Sequence, residues 1–103
     1  LTVVHLQNGF SKDRHEAPPG APIFHKSNAL RYMRAHPQTV GQILTHGTWD
    51  YDFVDGLAPC EGDLVIAKSR DSGFAGTSLE SDLRGRDIRT LIVCGIACNV
   101  GVE

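Results

Sequence analysis

The sequence predicts an α/β protein, a three-layer α/β/α sandwich around a parallel sheet. Three observations indicate this class. Short apolar runs rich in β-branched residues occur at residues 1–6, 64–67 and 89–94, apolar residues at helical spacing lie between them, and glycine or proline marks each boundary. Alternating strands and helices favour a parallel sheet whose faces are covered by helices.

The first predicted strand covers residues 1–6 and ends at the polar pair Gln7 and Asn8. Ligands of open α/β sheets bind at the carboxyl ends of the strands, so these two amides are candidate binding groups. Residues 11–22 are charged and rich in proline and glycine, which predicts a long loop.

The middle of the chain predicts one helix and one strand. Ser27 is a candidate N-cap for a helix that ends before Pro37. Residues 40–44 fit either a short helix or an extended segment. The strand at 64–67 then carries Lys68 to its carboxyl end.

A second helix and a third strand are predicted in the last part of the chain. Thr77 or Ser78 would cap a helix that holds Leu79 and Leu83 and closes at Gly85. The strand at 89–94 would follow, and the turn after Gly95 is a place where backbone N–H groups converge.

Composition excludes several classes of function. The 103 residues include 10 basic and 12 acidic ones, and the net charge of −2 provides no surface for nucleic acid. Nothing approaches a membrane span of about 18 apolar residues, and the start lacks a signal peptide, so we expect the cytosol. The three cysteines are an odd number, and Cys94 lies in an apolar run, which favours reduced thiols. A small molecule or another subunit is the expected partner.

Several separated motifs occur in an order typical of one enzyme superfamily. The segment GDLVIAKSRDSGFAGTSLESDLRGRDIRTLIVCGIACNVGVE resembles the half of isochorismatase-like cysteine hydrolases in which a strand ends in lysine, K-x-R-x-S-x-F follows, and a later strand runs into G-I-A-T-N-V-C-V-E. FHKSNALRYMR and GTWDYDFVDGL resemble the ureidoacrylate (peroxyureidoacrylate) amidohydrolase branch, which acts in pyrimidine breakdown. The resemblance implies a Rossmann-like fold.

The resemblance implies a mechanism with a cysteine thiolate, an aspartate and a lysine. Lys68 matches the lysine, which keeps the carboxylate ionised and stabilises developing negative charge. Gly101 occupies the position of the nucleophilic cysteine and has no side chain to attack a carbonyl. Ala97, Cys98 and Gly101 match the turn that forms the oxyanion site. A nucleophile relocated to Cys98 is a less favoured alternative.

The register of the first strand decides where the aspartate lies. If VVHLQNGF were the family's opening strand, His5 would replace the aspartate. About 17 residues separate Asn8 from the HKSNAL motif, too few for the intervening helix and strand. We therefore favour the second-strand register, with the aspartate upstream of Leu1. Residues 1–103 would then be the central part of one hydrolase domain, truncated at both ends.

Four residues are candidate substrate-binding groups. Gln7 and Asn8 would present amides to a ureido group, although Asn8 fits a simple turn residue equally well. Phe10 would form an apolar wall where the family branch often has tryptophan. Asp71 stands where the branch commonly has tyrosine, and its carboxylate would disfavour an anionic substrate unless Arg70 neutralises it.

No cofactor is expected, and no metal either. His5, His15 and His25 recur every ten residues, a spacing that no helix or strand turns into a binding site. Trp49 and Tyr51 are candidates for a subunit interface, and the full-length protein is expected to be a homo-oligomer.

The predicted function is hydrolysis of a C–N bond in a ureide or amide, with the chain itself inactive because it lacks the nucleophile and the base. Two alternatives remain open. Isochorismatases lack the cysteine and cleave a vinyl ether by acid catalysis, and their turn resembles G-V-Y-A-H-V-G. The other alternative is a non-catalytic homologue that serves as a subunit or scaffold.

Overall fold

The computed structural model describes residues 1–97 and 101–102. Two parallel strands form its sheet, and three helices and two single-turn 3-10 helices complete the regular structure of this part of the chain. In chain order the elements are β1 (Val4–Asn8), α1 (Pro22–Lys26), α2 (Asn28–Ala35), 3-10 turns at Pro37–Thr39 and Trp49–Tyr51, β2 (Leu64–Lys68) and α3 (Leu79–Gly85).

The predicted parallel pairing is confirmed. β1 and β2 lie side by side in parallel, from the pair Val4 and Leu64 to the pair Asn8 and Lys68. Successive side chains of a strand point to opposite faces, so Val4, Leu6 and Ile66 share one face of the sheet. Leu79 and Leu83 of α3 pack against that face.

Helix α2 begins and ends as its sequence predicts. The hydroxyl of Ser27 accepts a hydrogen bond from the Leu30 backbone N–H at 3.3 Å, which satisfies one free donor of the first turn. Leu30 and Met33 are each 1% exposed and face the interior. The helix ends at Ala35, before Pro37, whose ring cannot continue it.

Helix α1 differs from the sequence prediction, which has a loop over residues 11–22 and no helix before Ser27. Pro22 occupies the first turn of α1, where the fixed φ of proline suits a helix and the missing N–H costs nothing. The helix buries Ile23 in a cluster with Leu30, Met33 and Phe10. This cluster is separate from the one beneath α3.

Helix α3 is confirmed, and its cap is resolved. The Leu79 backbone N–H donates to the hydroxyl of Thr77 at 3.3 Å. The hydroxyl of Ser78 instead donates to the Asp82 carboxylate at 2.7 Å. Ser78 is the N-cap residue, but its side chain accepts no capping hydrogen bond, and the hydroxyl of Thr77, one residue earlier, accepts from the first N–H of the helix.

The strand predicted at residues 89–94 is wrong for this structure. These residues are exposed and join no ladder within the described part of the chain. Ile92 is 91% exposed and Ile96 is 96% exposed. The run has the composition of a buried strand, but a strand forms only when a neighbouring backbone completes its hydrogen bonds, and no described segment pairs with this run. Among the residues described, no helix is long and apolar enough to cross a membrane.

Gly9 generates a prediction about stability. A β-carbon added at Gly9 would lie 2.8 Å from the Leu44 carbonyl oxygen and 2.5 Å from ring carbons of Tyr51, whereas one added at Gly20 meets nothing within 4 Å. We expect Gly9→Ala to lower the free energy of unfolding by about 1–3 kcal/mol, because the backbone of Leu44 must move. Gly20→Ala should change it by less than about 0.5 kcal/mol. Denaturant unfolding of both variants measures this, and equal stabilities would contradict the close approach.

Candidate functional site

Two polar residues meet where the paired strands end. Asn8 is the last residue of β1 and Lys68 the last of β2, and the two are register partners. The Gly9 backbone N–H extends the pairing by donating to the Lys68 carbonyl at 2.9 Å. Register partners point to the same face of a sheet, so the side chains of Asn8 and Lys68 leave the same face at the carboxyl end.

The ammonium of Lys68 is held by backbone oxygens. Its Nζ donates to the carbonyls of Arg70 and Asp71, at 2.9 and 3.0 Å. The side chain is half-buried, and this burial lowers the pKa of Lys68, while the nearby Asp71 carboxylate partly opposes the shift. Among the described residues no hydrogen bond joins Lys68 to residues 95–97 or 101–102.

Arg70 does not neutralise Asp71. Its guanidinium donates to the Glu16 carbonyl at 2.6 Å and to the carbonyl and hydroxyl oxygens of Ser69, each at 3.1 Å. In the part of the chain that the structure describes, no ion pair links Arg70 with the exposed Asp71 carboxylate. Asp71 therefore acts on Lys68 through its carbonyl and through the negative charge of its side chain.

Gln7 and Asn8 have different surroundings. The Gln7 side-chain amide donates to the Tyr51 carbonyl at 2.7 Å, so one of its donors is already used. Asn8 is exposed. Both residues line a shallow cleft of about 350 Å³. The other residues that line it are His5, Leu6, Tyr51, Asp52, Phe53, Val54 and Leu57. Asn8 thus borders both this cleft and Lys68.

Phe10 lies in the apolar core. It is 2% exposed and packs in the cluster of Ala17, Ile23 and Leu30. A ring so enclosed has no free face for a ligand, in contrast to the apolar pocket wall expected from the sequence. Its backbone bridges to Thr45, which places residues 43–46 beside the end of β1.

The turn expected to hold the nucleophile is described in part. Ala97 has a φ of 64°, and its carbonyl accepts from the backbone N–H of Gly101 at 2.8 Å. The Gly101 N–H is therefore occupied within the turn and is not directed to a ligand. Cys98, the third residue expected here, lies outside the described residues.

Gly101 leaves room for a side chain. A β-carbon built on it would lie 3.5 Å from the Ile96 carbonyl oxygen, which is ordinary van der Waals contact, and its φ is not in the left-handed region. A β-carbon at this position is therefore accommodated among the described residues.

The histidines lie in separate environments. Nε2 of His5 contacts the Asp63 carboxylate at 2.9 Å and so joins the starts of the two strands. His25 contacts the Pro19 carbonyl. His15 has Asp13 at 2.9 Å and Glu16 at 3.8 Å. Ligand atoms of these last three residues lie within 4.8 Å of one another. Glu16, however, accepts hydrogen bonds from Ser11, and Asp13 accepts from His15, so hydrogen bonds within the loop account for the group.

Sequence reasoning missed the contact between Arg70 and Glu16. The two residues are 54 positions apart, and the acceptor is a backbone carbonyl, which any residue type would supply. The only feature of the sequence that could have indicated this contact was Arg70 itself, the arginine of the K-x-R motif.

Lys68 generates a prediction about titration. We expect its amine to titrate below the ordinary value of 10.5, because burial disfavours the charged form. The folded state binds the proton less tightly than the unfolded chain, so stability should rise as the pH increases from the lowered pKa to 10.5. Isotope-edited carbon NMR of Lys68 Cε, assigned by Lys68→Arg, measures the midpoint. A midpoint at or above 10.5 would contradict the burial.

Comparison with known proteins shows which family the chain resembles. The family model of the isochorismatase domain matches residues 2–103. Ureidoacrylate amidohydrolase RutB of Azorhizobium caulinodans is 54% identical over the whole chain, which covers 46% of that protein. RutB of Methylorubrum extorquens is also 54% identical, with 42% of its length covered. The chain thus spans about half the length of the curated relatives it matches.

The fold is shared with solved structures. A cysteine hydrolase from Pseudomonas syringae pv. phaseolicola superposes with a TM-score of 0.74 at 31% identity, over 98% of this chain and 41% of the other. The predicted α/β class and the resemblance to isochorismatase-like cysteine hydrolases are thereby confirmed. Since the family model covers nearly every residue, this chain belongs to the isochorismatase domain family.

Proposed function

We propose that residues 1–103 form the central part of one hydrolase domain that cleaves a C–N bond in a ureide or amide of the ureidoacrylate type. The observation that carries the proposal is the half-buried ammonium of Lys68, fixed by two carbonyls beside the exposed amide of Asn8. The identity of 54% to ureidoacrylate amidohydrolases over the whole chain supports the substrate class.

The proposed chemistry assigns each group one task. With cysteine at position 101, a carboxylate takes the thiol proton and the resulting thiolate attacks the carbonyl carbon. The C–N bond then breaks as the carboxylate gives that proton to the leaving nitrogen. Water then hydrolyses the acyl thioester. Lys68 stabilises the negative charge on the carboxylate and on the tetrahedral intermediate, and its low hydration strengthens that effect.

Substrate contacts follow from the side chains that are free. Asn8 offers an exposed amide that can donate to and accept from a ureido group. Gln7 retains its amide oxygen and one N–H beyond the bond to Tyr51. Asp71 disfavours an anionic group nearby, which favours binding of the neutral ureido end at this side. The proposed oxyanion turn consists of Ala97, Cys98 and Gly101. In this role the Gly101 N–H must break its hydrogen bond to the Ala97 carbonyl and donate to the oxyanion instead.

As it stands, the chain is proposed to be inactive in amide hydrolysis, because Gly101 supplies no thiol. Glycine at this position also favours a second candidate, vinyl ether cleavage of the isochorismatase type, which needs no nucleophilic side chain. A scaffold role is the third. The active protein is further proposed to be a cytoplasmic homo-oligomer that takes a small-molecule substrate.

Restoring the nucleophile tests the proposal. In the complete protein that carries this chain, we expect Gly101→Cys to release ammonia or carbamate from ureidoacrylate, whereas Gly101→Ala, which adds a β-carbon without a thiol, should not. Both variants should keep the stability of the parent within about 1 kcal/mol, since the β-carbon that they share meets only ordinary contact among the described residues. Absence of hydrolysis by Gly101→Cys, together with cleavage of isochorismate by the unmodified protein, would favour the second candidate. A covalent adduct on Cys98, detected by mass spectrometry, would instead relocate the nucleophile.

Lys68 is tested in the same background. Adding Lys68→Met to Gly101→Cys should lower kcat by roughly a hundredfold or more, the effect of losing one preorganised charge at a developing anion. Steady-state kinetics with ureidoacrylate measure it. If the double variant kept the kcat of Gly101→Cys, the proposed role of Lys68 in the mechanism would be wrong.

A further inference from the structure

Arg70 connects two segments that are far apart in sequence. Nη2 donates to the Glu16 carbonyl at 2.6 Å, and Nη1 donates to the carbonyl and the hydroxyl of Ser69. The planar fork of a guanidinium suits several fixed acceptors at once, which an ammonium cannot match. The contact ties the loop after β1 to the turn after β2.

The loop that Arg70 contacts is also held by a hydrogen-bonded pair of its own residues, Ser11 and Glu16. The Glu16 carboxylate accepts from the Ser11 backbone N–H at 3.0 Å and from the Ser11 hydroxyl. Burial would raise the pKa of Glu16, but these hydrogen bonds outweigh it, and the pKa is lowered. Arg14, inside the loop, has a φ of 54°, a conformation that costs about 1–2 kcal/mol in a residue with a β-carbon and persists only when its surroundings impose it.

The turn that Arg70 belongs to holds the candidate catalytic cation. Nζ of Lys68 donates to the carbonyl of Arg70 itself and to that of Asp71. One residue therefore contacts Lys68 through its backbone and Glu16 through its side chain. Movement of residue 70 would therefore have two effects at once. It would displace the carbonyl that accepts from the Lys68 ammonium, and it would break the hydrogen bond that holds the loop at Glu16.

We propose that Arg70 is a positioning residue, whose guanidinium fixes the 70–71 turn against the Glu16 carbonyl and thereby sets the place and hydration of the Lys68 ammonium. The inference rests on the proposed function only in giving Lys68 a catalytic role. Arg70 itself need not touch the substrate.

Two readouts that require no catalysis test this in the complete protein. The first is the titration midpoint of Lys68 Cε by carbon NMR. The second is the rate of trypsin cleavage after Lys12 and Arg14, both within the loop, followed by mass spectrometry. In Arg70→Gln we expect the Lys68 midpoint to rise toward 10.5. Cleavage should become roughly tenfold to a hundredfold faster, as for loss of one charge-assisted hydrogen bond.

Control variants separate anchoring from charge. Arg70→Lys keeps the positive charge but not the fork, so both readouts should move in the same direction as in Arg70→Gln, by a smaller amount. Arg84→Gln removes an arginine that pairs with Glu80 on the exposed side of α3, and it should change neither readout. If Arg70→Gln fails to unfold cooperatively, Arg70→Lys provides the same two measurements.

Three results would overturn the inference. One is a Lys68 midpoint that stays in place while cleavage accelerates, since Arg70 would then only anchor the loop. Another is recovery of the midpoint by Arg70→Lys without recovery of protection, which indicates a charge effect alone. The third is no change in either readout. When Gly101→Cys is active, Arg70→Gln should lower kcat more than it raises KM, and when it is inactive the NMR and proteolysis results still decide the role of Arg70.

Discussion

The pairing of β1 with β2 is the interaction on which the candidate site depends. Because the strands are parallel and end at the same level, Asn8 and Lys68 become neighbours although 60 positions separate them in the chain. The next N–H, that of Gly9, is bound to the Lys68 carbonyl, so the chain leaves the sheet in a fixed direction. A slip of β2 by one residue would move Lys68 to the other face and Ile66 out of the cluster beneath α3.

Features set by local sequence were predictable. Ser27 and Pro37 bound α2 because capping and the proline ring act within a single turn, and the apolar run of β2 is long enough to identify a strand that ends at Lys68. The motif resemblance then identified the family. It assigned roles by position, and for Lys68 the described surroundings suit a group that stabilises negative charge.

Features that depend on distant partners were not predictable. Residues 89–94 have a strand's composition, but no described backbone lies beside them to complete the ladder. Phe10 follows β1 directly, yet the bridge to Thr45 and the arrival of α1 and α2 turn it into core. The acceptor that Arg70 uses is a carbonyl of the 11–22 loop, and backbone acceptors leave no trace in composition. Sequence patterns indicate the conformation and burial that a residue type prefers. At these positions the outcome depends on contacts with segments that are distant in sequence.

The open space at Gly101 has an evolutionary consequence. Glycine and cysteine codons that end in a pyrimidine differ by one base, and a β-carbon added at position 101 meets only ordinary contact among the described residues. With the nucleophile at position 101, as proposed, a lineage can gain or lose it in one step, so selection on the scaffold and selection on the chemistry can act independently. Homologues that differ at this position are then expected to keep the same sheet, the same lysine and the same turn, and to differ in reaction rather than in architecture.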